Sequence, residues 1–134
     1  MSGDEAGNQH RFQKHYTREE ARALLPQLRA WLAELDRLQL KMVTNDESLD
    51  ELMKSGNDLG GESVNQRVRL IGEMKDVLQN FEKREIMIKD LQRGLVDFPA
   101  LIGGREVFLC WERDEEDVEF WHDIDSGYAG RERL

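Results

Sequence analysis

The sequence predicts an α+β fold in which an antiparallel hairpin of long helices packs on a small antiparallel β-meander of three to four strands. Three observations carry that expectation. Apolar residues recur at spacings of three and four over 21–42 and again over 64–81. Beyond about residue 85 the period shortens to two, and glycines punctuate the chain at Gly94 and Gly103-Gly104.

The opening stretch, 1–14, is polar and aperiodic and reads as a flexible tail ahead of a single domain over 15–134. The hairpin occupies about 17–84, and the meander with a C-terminal coil about 85–134. Thr17 precedes Glu20 by three positions, the capping-box spacing in which each side chain satisfies a free amide of the first turn. From there Ala21, Leu24, Leu28, Trp31, Leu35, Leu38 and Met42 form one stripe, widened by Leu25 and Leu32, which predicts a helix to about Val43. Pro26 falls inside it and removes one backbone hydrogen bond, so a kink is expected there.

Residues 44–61 are rich in turn formers and charge and read as the connecting loop. A second helix follows from Glu62, with Val64, Val68, Ile71, Met74, Leu78 and Phe81 on its apolar side. Neither helix buries its stripe alone, so the hairpin needs the rest of the chain or a second copy, and a homodimer through the helices is one solution.

Residues 85–91 fit a strand first and the last turns of the second helix otherwise, and Gln92-Arg93-Gly94 reads as a turn. If Gly103-Gly104 closes a two-residue hairpin, the register follows: Val96 lies opposite Trp111, Asp97 opposite Cys110 and Phe98 opposite Leu109. A four-residue loop after Glu112 then pairs Trp111 with Val118, Cys110 with Glu119 and Leu109 with Phe120. That register gives one apolar face and an opposite face carrying Asp97, Cys110 and Glu119 in one row, with Pro99, Phe108 and Trp121 in the next.

Composition narrows the function classes. At 134 residues and 39% hydrophobic content the chain supports one modest core. It lacks the ~18 consecutive apolar residues of a membrane span and any apolar run like a signal peptide at its start, and its only cysteine is Cys110, so a cytosolic location is expected. The formal net charge of -9 argues against nucleic acid and anionic membranes as partners. Acidity concentrates late: residues 105–134 hold ten acidic and four basic side chains, against four and five over 17–43. Such a segment keeps a protein soluble or attracts a basic partner.

The chemistry-bearing residues are few. Asp97, Cys110 and Glu119 on adjacent strands, with His122 and Asp125 near them, offer thiolate, imidazole and carboxylate ligands for a divalent metal such as zinc. No paired motif of the CxxC or HExxH kind supports them, and a single strand cysteine usually serves as a small buried hydrophobe. His122, Asp123, Asp125, Tyr128 and Arg131 also cluster in sequence as base, orienting carboxylate and cationic anchor. The expected register puts Cys110 and His122 on opposite faces, which argues against a thiol nucleophile. Asp97 before Phe98-Pro99 has a structural role open to it, accepting backbone amides at the bend. Neither Gly60-Gly61 nor Gly103-Gly104 has the spacing of a phosphate loop.

Three segments resemble a known family. GLVDFPA at 94–100, VFLCW at 107–111 and FWHDIDSGYAGR at 120–131 are similar to the C-terminal signature of the bacterial family numbered 2203 among domains of unknown function, and YTREEARALLPQLR at 16–29 to its N-terminal helix. The resemblance implies a bacterial protein and a proline accommodated within a helix. It implies no activity, cofactor or site residue. The expectation is therefore a noncatalytic binding or assembly module with a protein partner or self-association; the alternative is a metal-dependent enzyme, a hydrolase, built on Asp97, Cys110, Glu119 or His122 with Asp125.

Overall fold

The computed structural model describes residues 10–56 and 61–134. Positions 1–9 of the tail expected over 1–14, and positions 57–60 of the expected loop, lie outside the described residues. The described residues form two α-helices, α1 (Arg18–Ser55) and α2 (Glu62–Glu82), and one 3-10 turn at Tyr128–Gly130. Five strands follow α2: β1 (Met87–Asp90), β2 (Leu95–Ile102), β3 (Arg105–Glu112), β4 (Phe120–Asp123) and β5 (Glu132–Arg133). The fold is α+β, and the strands form one antiparallel sheet in sequence order. The expected three to four strands become five because Glu132 and Arg133, read as coil, pair with Trp121 and Phe120. No described helix is long and apolar enough to cross a membrane.

Two compact units make up the chain. One comprises the described residues up to Arg29 together with Phe81–Leu134; the other is Ala30–Asn80.

In the first unit the capping box forms as expected: Thr17 N–H donates to Glu20 Oε1 at 2.9 Å and Glu20 N–H to Thr17 Oγ1 at 3.1 Å. The helix passes through Pro26 without interruption. Gly103 and Gly104, both at positive φ, close the β2–β3 hairpin in the expected register, with Asp97 opposite Cys110. Val96, Phe98, Ala100, Val107, Leu109 and Trp111 are buried on one face. Tyr16 packs edge-on against Phe98, and its hydroxyl donates to Arg84 O at 2.6 Å.

The β3–β4 register departs from expectation by one residue. Leu109 faces Trp121 and Phe108 faces His122, where Leu109 was expected opposite Phe120. The cause lies in residues 113–119, which hold a shape of their own. Trp111 Nε1–H donates to Glu115 O at 2.9 Å, Arg29 donates to the same oxygen at 2.8 Å, and Arg22 pairs with Asp117 at 2.8 Å. Val118 is fully buried but outside any strand. It mimics a strand position in the sequence while serving as a core plug in the loop.

From His10 the chain is tied to the sheet's other face. Arg11 and Phe12 N–H donate to the Glu106 carboxylate at 2.8 and 3.0 Å, Gln13 and Lys14 N–H to Glu85 Oε1 at 2.8 and 2.7 Å, and Phe12 stacks edge-on with Phe108. In the turn after α2, Glu85 sits at φ 58, and Ile86 N–H closes back on Phe81 O at 3.0 Å.

In the second unit α1 runs twelve residues past the expected Val43. Asn45, read as a turn former, is buried: its amide donates to Ser63 O at 2.8 Å and Gln66 Oε1 at 3.3 Å, and its oxygen accepts from Arg67 at 3.4 Å. This polar pairing also sets the face α2 turns inward, which carries Arg67, Leu70, Met74 and Val77. Val64, Val68 and Ile71, expected inside, are 38%, 65% and 50% exposed.

A candidate metal centre

The one-residue slip decides the chemistry of the sheet. It exchanges the two faces of β4, so His122 takes the place expected for Trp121, in the row of Pro99 and Phe108 and beside the row of Asp97 and Cys110. Asp97, Cys110 and His122 are all buried, and one potential ligand atom from each lies within 4.8 Å of the others. Cys110 and His122, expected on opposite faces, share one.

The hydrogen bonds define the histidine. Its Nδ1–H donates to the carbonyl oxygen of Asp123 at 2.7 Å, which leaves Nε2 facing both Asp97 carboxylate oxygens at 3.0 Å. A neutral imidazole with Nδ1 committed presents a lone pair at Nε2, and a carboxylate presents only acceptors, so a cation must lie between them. A proton satisfies that demand, as does a metal ion. A histidine oriented by a backbone carbonyl through one nitrogen and free to coordinate through the other is the usual arrangement of a metal ligand.

Burial raises the Asp97 carboxyl above its ordinary range, against the opposing pull of His122, Lys89 and a hydrogen bond from Cys110. Burial, reinforced by the Asp97 charge, pushes the Cys110 thiol up to about 12 against the opposing pull of Arg131. Without a metal Cys110 is therefore a protonated thiol and no nucleophile. A metal reverses this, because a coordinating thiol is deprotonated outright. Arg131 donates to Cys110 Sγ at 3.7 Å and forms a partly buried ion pair with Glu115, which keeps the guanidinium charged and in place.

A cleft of about 200 Å³ adjoins the three side chains, lined also by Lys89, Leu95, Ile124, Ser126, Gly127 and Tyr128. Tyr128 is held between the Arg93 and Arg131 guanidinium groups, each 4.3 Å from its ring centre. The two remaining expected ligands stand elsewhere: Glu119 pairs with Arg133 at 3.4 Å, and Asp125, almost fully exposed, pairs with Arg11 at 3.6 Å. Lys89 and Glu115 were not anticipated. Alternation from Met87 places Lys89 on the Asp97 face, within a stretch where the β1–β2 register shifts between Ile88 and Asp90.

His10, His15 and Glu106 form a second group of close ligand atoms. Here His15 Nε2 meets Glu106 Oε2 at 2.8 Å, and that carboxylate already accepts the Arg11 and Phe12 amides. Its donors are supplied within the chain, and it acts as a fastening for the N-terminal segment.

A family model described as "Uncharacterized conserved protein (DUF2203)" matches residues 14–134, and the chain belongs to that family. No curated protein and no solved structure matches.

Proposed function

We propose that this member of the DUF2203 family is a metal-dependent enzyme of hydrolytic type, holding a divalent ion such as zinc through Asp97, Cys110 and His122. The observation that carries this reading is the buried convergence of a carboxylate, a thiol and an Nε2 that needs a cation between it and its partner. Charge supports it. One divalent ion with one carboxylate, one thiolate and a neutral imidazole is neutral overall, and Arg131 is already matched by Glu115. Three protein ligands leave a fourth position, and the cleft offers the side from which a water or substrate reaches it. When bound, the ion supplies a water acidified to near neutrality or a polarised carbonyl. The chain itself orients His122 through Asp123 and sets an N–H donor of Arg131 beside the sulfur.

Elemental analysis of untagged protein purified without chelator tests the centre. Near-stoichiometric zinc, iron or manganese is expected, and Cys110→Ser and His122→Ala should each lose it. Wild-type protein that neither carries nor takes up metal refutes the reading.

One observation favours a second reading, a noncatalytic assembly module acting as a homodimer. Val64, Val68 and Ile71 form an exposed apolar stripe on α2. Light scattering on the wild type and a Val68→Glu variant separates the two: a dimer that the charge dissociates supports assembly, and a monomer in both removes it.

A further inference from the structure

The cleft above Asp97, Cys110 and His122 has one cationic side chain in its lining, Lys89. Ile88 opposes Val96 and Asp90 opposes Leu95, so Lys89 is the extra residue of an irregularity in β1. Such irregularities re-aim a side chain beside a site. Lys89 Nζ lies 5.6 Å from the Phe108 ring centre, and Phe108 in turn contacts the His122 ring at 5.4 Å. The ammonium stands near enough to Asp97 for its charge to act on that carboxylate, yet among the described residues it makes no hydrogen bond or ion pair. The surrounding chain is acidic, ten to four over 105–134, so an unmatched cation here is a local exception.

Resting on the metal reading above, we propose that the substrate is a small organic anion with a single negative charge, a carboxylate or a phosphate diester, whose charged group pairs with Lys89 while its reacting group meets the metal. Two arguments fix the class. With an ion bound, the metal and its ligands are neutral and the exposed Lys89 ammonium supplies one positive charge in the lining, which favours a monoanion. The cleft volume of about 200 Å³ lies below the range of drug-sized pockets, ~300–1,000 Å³, and its Leu95 and Ile124 walls suit a short apolar backbone.

Cobalt(II)-loaded full-length protein supplies the test, because a thiolate-bound cobalt centre has a visible spectrum that responds to a new ligand nearby. The probes are acetate, dimethyl phosphate and neutral acetamide. Acetate or dimethyl phosphate should shift the wild-type spectrum saturably, and acetamide should not; which anion binds tighter distinguishes carboxylate from phosphate chemistry. Lys89→Gln should load cobalt as the wild type does and bind the anion at least tenfold more weakly, and Lys89→Arg should restore most of the affinity. Equal anion affinity in Lys89→Gln, or loss of cobalt from that variant, overturns the assignment to Lys89 while leaving the centre standing. Absence of a cobalt spectrum in the wild type removes the centre and this inference with it.

Discussion

Each unit buries polar side chains, and the two do so on different terms. In the helical unit, Asn45 is sealed from water but finds complementary partners: its amide donates to Ser63 O and Gln66, and its oxygen accepts from Arg67. In the sheet unit, Asp97 and His122 are sealed just as completely, and they meet through an acceptor and a nitrogen that matches it only with a cation between them. A buried polar group whose donors and acceptors balance is structural. One whose balance requires a cation is poised for chemistry. Burial alone does not separate the two; the donor count does.

The largest effect should come from breaking that contrast at its sharpest point. In metal-free protein, His122→Ala strands the Asp97 carboxylate without its partner and should cost about 3–5 kcal/mol in denaturant unfolding. Asn45→Ala, which removes the bonds to Ser63 O, Gln66 and the Arg67 guanidinium, should cost about 1–3 kcal/mol. The His122→Ala deficit should shrink in acid, because burial already holds Asp97 above the ordinary carboxylate range and a proton neutralises it. Equal costs for the two variants at neutral pH would show that the sheet unit stores no special charge and would undo the comparison.

A second effect is confined to alkaline solution. The Cys110 thiol stands at about 12 in the fold, against 9 ordinarily. A group raised in this way contributes stability that is complete below pH 9 and lost as the pH climbs through about 12. Metal-free wild type should therefore destabilise more steeply across that window than Cys110→Ala, and metal-loaded protein should not, since its sulfur is already deprotonated. Parallel pH profiles for wild type and variant would show that burial does not hold the thiol protonated.

The same contrast explains what the sequence makes legible. The β2–β3 register follows from local chemistry, because two glycines at positive φ admit only a tight turn and the turn sets every pair beyond it. The β3–β4 register depends on Arg22 and Arg29, far back in the chain, gripping the loop at Asp117 and Glu115, and no local pattern announces that. One residue of slip was enough to put Trp121 where His122 belongs. The candidate site was therefore half legible: Asp97 beside Cys110 from the hairpin, but His122 assigned to the wrong face. In the helices, Thr44 to Asp50 has the composition of a loop, and partners on α2 hold Asn45 in helix; the intrinsic preference is a fraction of a kcal/mol per residue and tertiary contacts override it.

Gly94 gives a smaller, purely steric effect that sharpens the line between turn and site. It sits at φ 67, and an added Cβ would come within 2.8 Å of the Arg113 Cβ. Gly94→Ala should cost about 1–3 kcal/mol in strain while leaving metal content unchanged. Loss of metal in this variant would mean that the Leu91–Gly94 turn takes part in holding the centre.

The smallest effect belongs to the N-terminal segment, whose fastening at Glu106 is balanced in the manner of Asn45. Burial works against the Glu106 carboxylate, but the Arg11 amide, His15 and the Phe12 amide outweigh it and hold the group below its ordinary 4.5. A carboxyl lowered in this way contributes stability that is present above 4.5 and lost as the pH falls through the lower folded value. The amides of Arg11 and Phe12 should therefore exchange hydrogen faster, relative to those of β2 and β3, as the solution is acidified below that range, and Glu106→Gln should show the fast exchange at neutral pH. Because Glu106 is none of the three ligands and stands two rows along the sheet from Asp97 and Cys110, metal content should not change. If Glu106→Gln emptied the centre as well, the two polar clusters on this face would be one coupled system, and the division between structural and chemical burial would have to be drawn around both.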